Sequence, residues 1–283
     1  MSYQYLDLAD CISRRPQMPE QILPGLIRGI VGSIVAPGAT GKSMLALELG
    51  IYRATGHDWL GFGQCEPGRV IVFAAEDPAP ILGGRIHDLA CHLSPDEREL
   101  LKENLFVVPV TSGMPRDLLD GGRTADEIRK HADGFDLAII DTISRFHTGD
   151  ENKREDAARA MRQLERIGEA GPAVVFLGHT SKAAALAGQG DLQQAARGSS
   201  VWVDEARWVA FLATCSTDEA KTYDIDEDVR RSFVRFGLSK ANYTEPRPDI
   251  WLRRDYGGVL LKTEMQKARK ARGGKMGGDD DWR

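Results

Sequence analysis

Apolar residues in this chain gather into short, nearly unbroken runs separated by longer, mixed stretches. The short runs occupy residues 30–35, 69–75, 105–110, 136–141 and 173–177. A strand covered on both faces has no solvent-facing alternate positions, so these runs predict the strands of a mainly parallel, buried sheet. Residues 42–53 are apolar nearly all round, which predicts a helix lying beneath other elements. Residues 81–93, 95–104 and 125–132 read as further helices, and 153–170 as a charged amphipathic one. Ser94, Pro95 and Glu97 supply a start signal for the helix at 95: a hydroxyl cap, a proline in the first turn and the glutamate of a capping box. Strands alternating with helices imply right-handed βαβ units.

The pattern changes at Arg207. Residues 207–213, 232–238, 250–254 and 259–262 are strand-like with short connections, which predicts an antiparallel extension of the same sheet. Residues 1–29 are mixed and carry Pro16, Pro19 and Pro24. Tyr3, Tyr5, Leu6 and Leu8 either pack on a neighbouring subunit or belong to a loosely attached arm. From Thr263 the chain turns rich in Lys and Arg, then Gly, then Asp279 to Asp281, a composition that reads as disordered. The expected organisation is an N-terminal arm at 1–24, one α/β domain at 25–262 and a tail at 263–283. A length of 283 residues suits one such domain with insertions.

Composition narrows the function classes. With 42% hydrophobic and 28% charged residues the chain is of the soluble globular kind. A net charge of −5 excludes a basic field over the whole molecule, so any nucleic-acid contact has to be local, in a loop or channel. Cys11, Cys65, Cys91 and Cys215 are scattered, with no C-x-x-C pair, as in reduced structural thiols. No apolar signal core or run of membrane-spanning length occurs, so the expectation is a cytoplasmic protein with no membrane partner.

The strongest chemical signal lies between the first strand and the helix at 42. Gly38, Ala39, Thr40, Gly41, Lys42 and Ser43 form a glycine-bearing turn opening a helix, the arrangement of a phosphate-binding loop. Backbone amides close on an anion where no Cβ intervenes, and the helix N-terminus adds partial positive charge. Lys42 can reach the β- and γ-phosphates of ATP, and the Ser43 hydroxyl can ligate Mg²⁺. Ala36 stands where such loops usually begin with glycine.

Four further positions lie where strand ends would line a ligand edge. Asp141 ends an apolar strand and reads either as a Mg²⁺-linked carboxylate or as a loop cap. Glu76 is the candidate to polarise a water aimed at the γ-phosphate, with Asp77 its competitor; one of the two would otherwise cap the helix after Pro78. His179 follows the strand at 173–177 and reads as a γ-phosphate sensor or as a satisfied structural histidine. Residues 183–200, rich in Ala, Gly and Gln, read as a mobile loop on that edge, flanked by Lys182 and Arg197. Arg145 and Lys153 lie in the loop after Asp141. On local sequence these four basic residues are solvated surface charges; facing the hole of a ring they would track a phosphate backbone. Arg207 begins the later strand group, and an arginine reaching a neighbour's γ-phosphate stabilises transition-state charge.

Six blocks, taken in order, carry a resemblance. They are PGATGKSMLAL (37–47), AAEDP (74–78), DTISRFH (141–147), VFLGHTSK (175–182), RGSSV (197–201) and VRFGLSKANY (234–243). Over roughly residues 20 to 262 the chain resembles the RepA-type hexameric replicative DNA helicases of broad-host-range plasmids. The resemblance implies a RecA-like P-loop NTPase core, a ring that is expected to be a hexamer, and ATP and Mg²⁺ as cofactors. It implies movement on single-stranded DNA, with primase and origin-binding replication proteins as possible partners. By position it gives Lys42 and Ser43 to phosphates and Mg²⁺, Glu76 to catalysis, Asp141 to the metal, His179 to sensing and Arg207 to a neighbour's site. The loop around 182–197 would face the DNA. Gly178 departs from the pattern, standing before His179 where a second histidine is expected. Two other readings share the phosphate loop: a RecA-like regulatory or loader ATPase without unwinding, and a small-molecule P-loop kinase.

Overall fold

Five apolar runs become five neighbouring parallel strands. The computed structural model describes residues 4–149, 153–179 and 201–267. The expected loop at 183–200, with Lys182 and Arg197, and most of the tail lie outside the described residues. In chain order, α1 (Leu8–Ser13) and the pair β1 (Gln21–Leu23) and β2 (Leu26–Ile27) precede β3 (Val31–Ala36) and α2 (Lys42–Thr55). Then come β4 (Val70–Ala74), α3 (Ala79–Ala90), α4 (Pro95–Asn104), β5 (Leu105–Pro109), α5 (Arg123–His131) and β6 (Leu137–Asp141). They are followed by α6 (Arg154–Gly168), β7 (Ala173–His179), α7 (Val201–Glu205) and β8 (Trp208–Thr214). The chain closes with α8 (Thr217–Tyr223), α9 (Glu227–Arg230), β9 (Phe233–Ala241), β10 (Ile250–Arg254) and β11 (Leu260–Thr263).

The main sheet has nine strands in the order β11-β10-β9-β8-β3-β7-β6-β4-β5. All neighbours from β8 to β5 run parallel, and β8-β9, β9-β10 and β10-β11 run antiparallel. One expectation is corrected here. The first strand of the later group pairs parallel with β3, Gly32 against Trp208 and Val35 against Phe211, so the antiparallel part begins only at β9. The connection from β8 to β9 is also not short. It holds α8 and α9, and α8 starts at a capping box in which Ser216 and Glu219 satisfy each other's backbone amides.

Alternation along the strands divides the core between two faces. Val175 and Leu177 of β7 pack with Leu45, Leu49 and Ile51 of α2. Val174 and Phe176 face the other way, toward Met161, Leu164 and Ile167 of α6. Both faces are covered, which is why the strand sequences carry no polar alternation. Trp208 is fully buried, and its indole N–H donates to the Pro24 carbonyl at 2.9 Å, tying the β1–β2 hairpin to the sheet. A Cβ on Gly32 would stand 2.8 Å from that indole, so the close approach of β3 requires glycine. By contrast α1 buries no residue, and Tyr5, Leu6, Leu8 and Ile12 are exposed. Among the described residues no helix is long and apolar enough to cross a membrane.

Candidate active site

Parallel pairing brings the C-terminal ends of β3, β7, β6 and β4 to one edge. Ala36 stands opposite His179, and Ala74 opposite Asp141. The turn from Pro37 to Gly41 therefore opens beside the residues that end the neighbouring strands. Within it Ala39 and Gly41 adopt left-handed conformations, with φ of 59° and 105°, and the Thr40 hydroxyl donates to the Pro37 carbonyl at 2.9 Å. Lys42 is buried, and its ammonium donates to the carbonyls of Ala36 (3.0 Å) and Pro37 (3.1 Å) and to His179 Nδ1 at 3.2 Å. Burial lowers the ammonium's pKa, while the charges of Glu76 and Asp141 act against that shift.

His179 and Glu76 meet across the edge. Because Lys42 donates to Nδ1, the imidazole proton belongs on Nε2, which lies 3.8 Å from Glu76 Oε1. The same Oε1 accepts the Thr142 hydroxyl at 3.0 Å. Asp77 is engaged elsewhere, paired with Arg85 of α3 at 2.6 Å. Neither carboxylate caps α3, whose N-cap is Pro78 without a side-chain bond. Of the two competitors, Glu76 faces the phosphate loop's lysine and histidine.

Asp141 is buried, and its Oδ1 has no hydrogen-bond partner among the described residues. Burial, reinforced by the charge of Glu76, pushes its pKa up to about 6 against a hydrogen bond from Ser43 that holds it down. An unpartnered buried carboxylate oxygen beside a serine hydroxyl suits a divalent cation. Among the described residues no three His, Cys, Asp or Glu side chains gather as a metal cluster, so a cation held here would share its ligands with a bound phosphate.

A cavity of about 330 Å³ joins these groups, bounded by Ala39, Lys42, Glu76, His179 and, from the far wall, Arg85 and Arg254. Sequence reasoning missed those two arginines. Arg254 comes from β10 and donates through Nη2 to the carbonyls of Ala39 (3.2 Å) and Thr40. A contact between residues 214 positions apart leaves no local pattern to read.

The remaining candidates fall into two groups. Arg145, in the helical turn Ile143–Arg145, and Lys153, at the N-cap of α6, are exposed and follow Asp141 on the same edge. Arg207 is at the opposite edge. It is exposed, and its backbone N–H donates to the Val31 carbonyl at 3.0 Å, at the start of β3. From Val31 to Ala36 the strand covers roughly 16 Å, at ~3.3 Å per residue. That is more than an arginine side chain spans, so Arg207 is out of reach of its own phosphate loop.

A protein family described as AAA domain matches residues 2–185, well over half of the chain. Among solved structures, the chain is similar to the crystal structure of the RadB recombinase, at 15% identity and a TM-score of 0.52, over 84% of this chain and 93% of that one. It is likewise similar to the ATPase domain of a helicase, at 14% identity and a TM-score of 0.56, over 91% and 96%. At such identities the likeness is one of fold.

Proposed function

The chain belongs to the AAA domain family and carries the RecA-like ATPase fold, and from that premise we propose that it is a ring-forming, ATP-dependent DNA helicase. In this reading residues 25–262 are the motor, and identical copies place each ATP between two subunits. The assembly is a hexamer that moves on single-stranded DNA in the cytoplasm during plasmid or phage replication, with primase and origin-binding proteins as partners. The blocks at 141–147, 175–182 and 234–243 support the narrower identification.

The chemistry follows from the groups at the sheet edge. The amides of residues 38–43 and the Lys42 ammonium bind the phosphates, with Lys42 exchanging its bonds to the Ala36 and Pro37 carbonyls for phosphate oxygens. Ser43 and Asp141 hold Mg²⁺, which when bound neutralises charge between the phosphates. Glu76, its Oε1 fixed by Thr142, accepts the proton of the attacking water at Oε2. His179, hydrogen-bonded to Lys42, is positioned to exchange that bond for one to the γ-phosphate and so to register its loss. Arg145 and Lys153, with Lys182 and Arg197, contact the DNA backbone.

The observation that carries the reading is the position of Arg207, an exposed cation at the edge remote from its own site. A charge that stabilises the transition state from there serves another copy. The test is a mixture. Lys42→Ala and Arg207→Ala chains are each expected to lose ATP hydrolysis, and mixing them is expected to restore part of it, because some interfaces then pair an intact loop with an intact finger. Mixtures as inactive as their components would sink the shared site. Strand displacement on a forked duplex separates the helicase from a loader ATPase, which would hydrolyse ATP without separating strands. Stimulation of hydrolysis by single-stranded DNA is expected to weaken as salt rises.

A further inference from the structure

We infer that Arg254 is a positioning residue of the nucleotide site, clamping the phosphate loop from the antiparallel extension so that its amides are set for phosphate before any nucleotide arrives. The inference rests on the nucleotide-binding reading above and gives the extension a role in it.

Arg254 ends β10, on the far side of the sheet from the strands that supply Glu76 and Asp141. Its guanidinium nevertheless reaches the loop and donates to two successive carbonyls, Ala39 at 3.2 Å and Thr40. In a trans peptide the C=O and the following N–H point in opposite directions. Holding those two carbonyls therefore turns the N–H groups of Thr40 and Gly41 away from the guanidinium, which fixes the plane of each peptide in the turn. A planar fork with several donors suits two adjacent carbonyl acceptors, and a single ammonium does not.

The surroundings are built for this contact. Gly41 has φ 105°, and a Cβ there would lie 3.1 Å from Arg254 Nη1, so the guanidinium occupies the space that the missing side chain leaves. Glu48, one helical face along α2, is completely buried and accepts the Leu260 amide of β11 at 2.6 Å. Its charge also acts on Arg254. Two points of α2 and its loop are thereby fastened to the β10–β11 pair. The turn between those strands packs on α3, where a Cβ on Gly257 would collide with Asp88, and α3 is the helix that follows Glu76 and Asp77. The extension thus touches both sides of the cavity, and Arg254 is its contact with the phosphate loop.

The experiment compares wild type, Arg254→Ala and Arg254→Lys as full chains. Amide hydrogen exchange is measured without nucleotide, and binding of ADP and of inorganic pyrophosphate is measured by titration. Losing the clamp is expected to speed exchange in peptides covering residues 37–45 about tenfold, leaving β4–β6 peptides unchanged, and to weaken ADP and pyrophosphate alike by about tenfold. Arg254→Lys, which keeps the charge without the fork, is expected to behave like Arg254→Ala. Unchanged exchange at 37–45 would overturn the clamp, as would weakened ADP with unchanged pyrophosphate, which would mean contact with the base. A lysine variant equal to wild type would also overturn it. Wild-type protein that binds neither ADP nor pyrophosphate would instead refute the nucleotide reading on which the clamp rests.

Discussion

Asp136 and Asp141 bracket a single strand, β6, and their surroundings differ in every respect that sets the energy of a carboxylate. Asp136 accepts from Arg28, from Arg53 at 3.1 Å and from the Arg69 amide at 3.0 Å. Those hydrogen bonds and charges hold its pKa below the usual 3.8 despite burial. Asp141, five residues on, is buried with one oxygen lacking a partner, and its pKa is raised to about 6. One end of the strand is electrostatically satisfied and the other is held short of satisfaction. A protein keeps such a group where a ligand is to complete it, so the contrast separates the carboxylate that serves the fold from the one that serves the site.

Substituting each by its amide breaks the comparison most sharply. Asp141→Asn is expected to lower ATP hydrolysis by about 10³-fold or more, because a neutral amide is a poor Mg²⁺ ligand. The same change is expected to stabilise the nucleotide-free protein at pH 7.5 by up to about 3 kcal/mol, the ceiling set by a shift of roughly two units in a buried group. Asp136→Asn is expected to do the reverse. It leaves the buried Arg53 with Glu20 alone and costs about 2–4 kcal/mol, while hydrolysis well below the melting temperature stays within about twofold of wild type. Melting curves and steady-state hydrolysis on the two variants decide the matter. A destabilised Asp141→Asn would mean that the aspartate is structural.

Acid sharpens the contrast, since the two shifts have opposite signs. A carboxyl raised in the folded state contributes stability that is present below its unfolded pKa near 3.8 and is lost as pH rises through about 6. The gain from Asp141→Asn should therefore be complete at pH 7.5 and vanish near pH 4. A lowered carboxyl contributes stability that is present above 3.8 and is lost as pH falls through its folded value. The penalty of Asp136→Asn should accordingly persist at pH 5 and shrink only in stronger acid. Melting temperatures of the three proteins across that range provide the check.

Asp141 was readable from sequence because it ends an apolar strand on the same edge as a phosphate loop, and both signals are local. The same holds for the strands of the parallel half, for α2, and for α4 with its Ser94–Glu97 capping box, which the structure contains. Asp136 gave no such signal. Its partners Arg28 and Arg53 lie 108 and 83 residues away, and nothing near any of the three announces the others. Arg254 was invisible for the same reason. The parallel pairing of β8 also escaped, since a strand sequence records burial and not the direction of its neighbour. Strand ends were less legible than strand centres. β7 continues to His179, two residues beyond its apolar run, because pairing with Ala36 and not apolarity decides where it stops.

The smallest effect is expected at Glu20, and its smallness is informative. Glu20 completes the Asp136 network, accepting from Arg53 at 2.7 Å and from Arg28 at 3.0 Å, and both contacts help to lower its pKa. Its side chain, however, is 47% exposed, so water screens the pairs and solvates whatever remains after the change. Glu20→Gln should thus cost about 1 kcal/mol or less, and the loss should fall further in about 0.5 M salt, while that of Asp136→Asn changes little. The amide can still accept one hydrogen bond from Arg53, whose charge remains balanced by Asp136. If Glu20→Gln proved as damaging as Asp136→Asn, burial of the acceptor would not be what distinguishes the members of this network. The fastening of the β1–β2 hairpin to the sheet would then rest on Glu20 as much as on Trp208 and the Pro24 carbonyl.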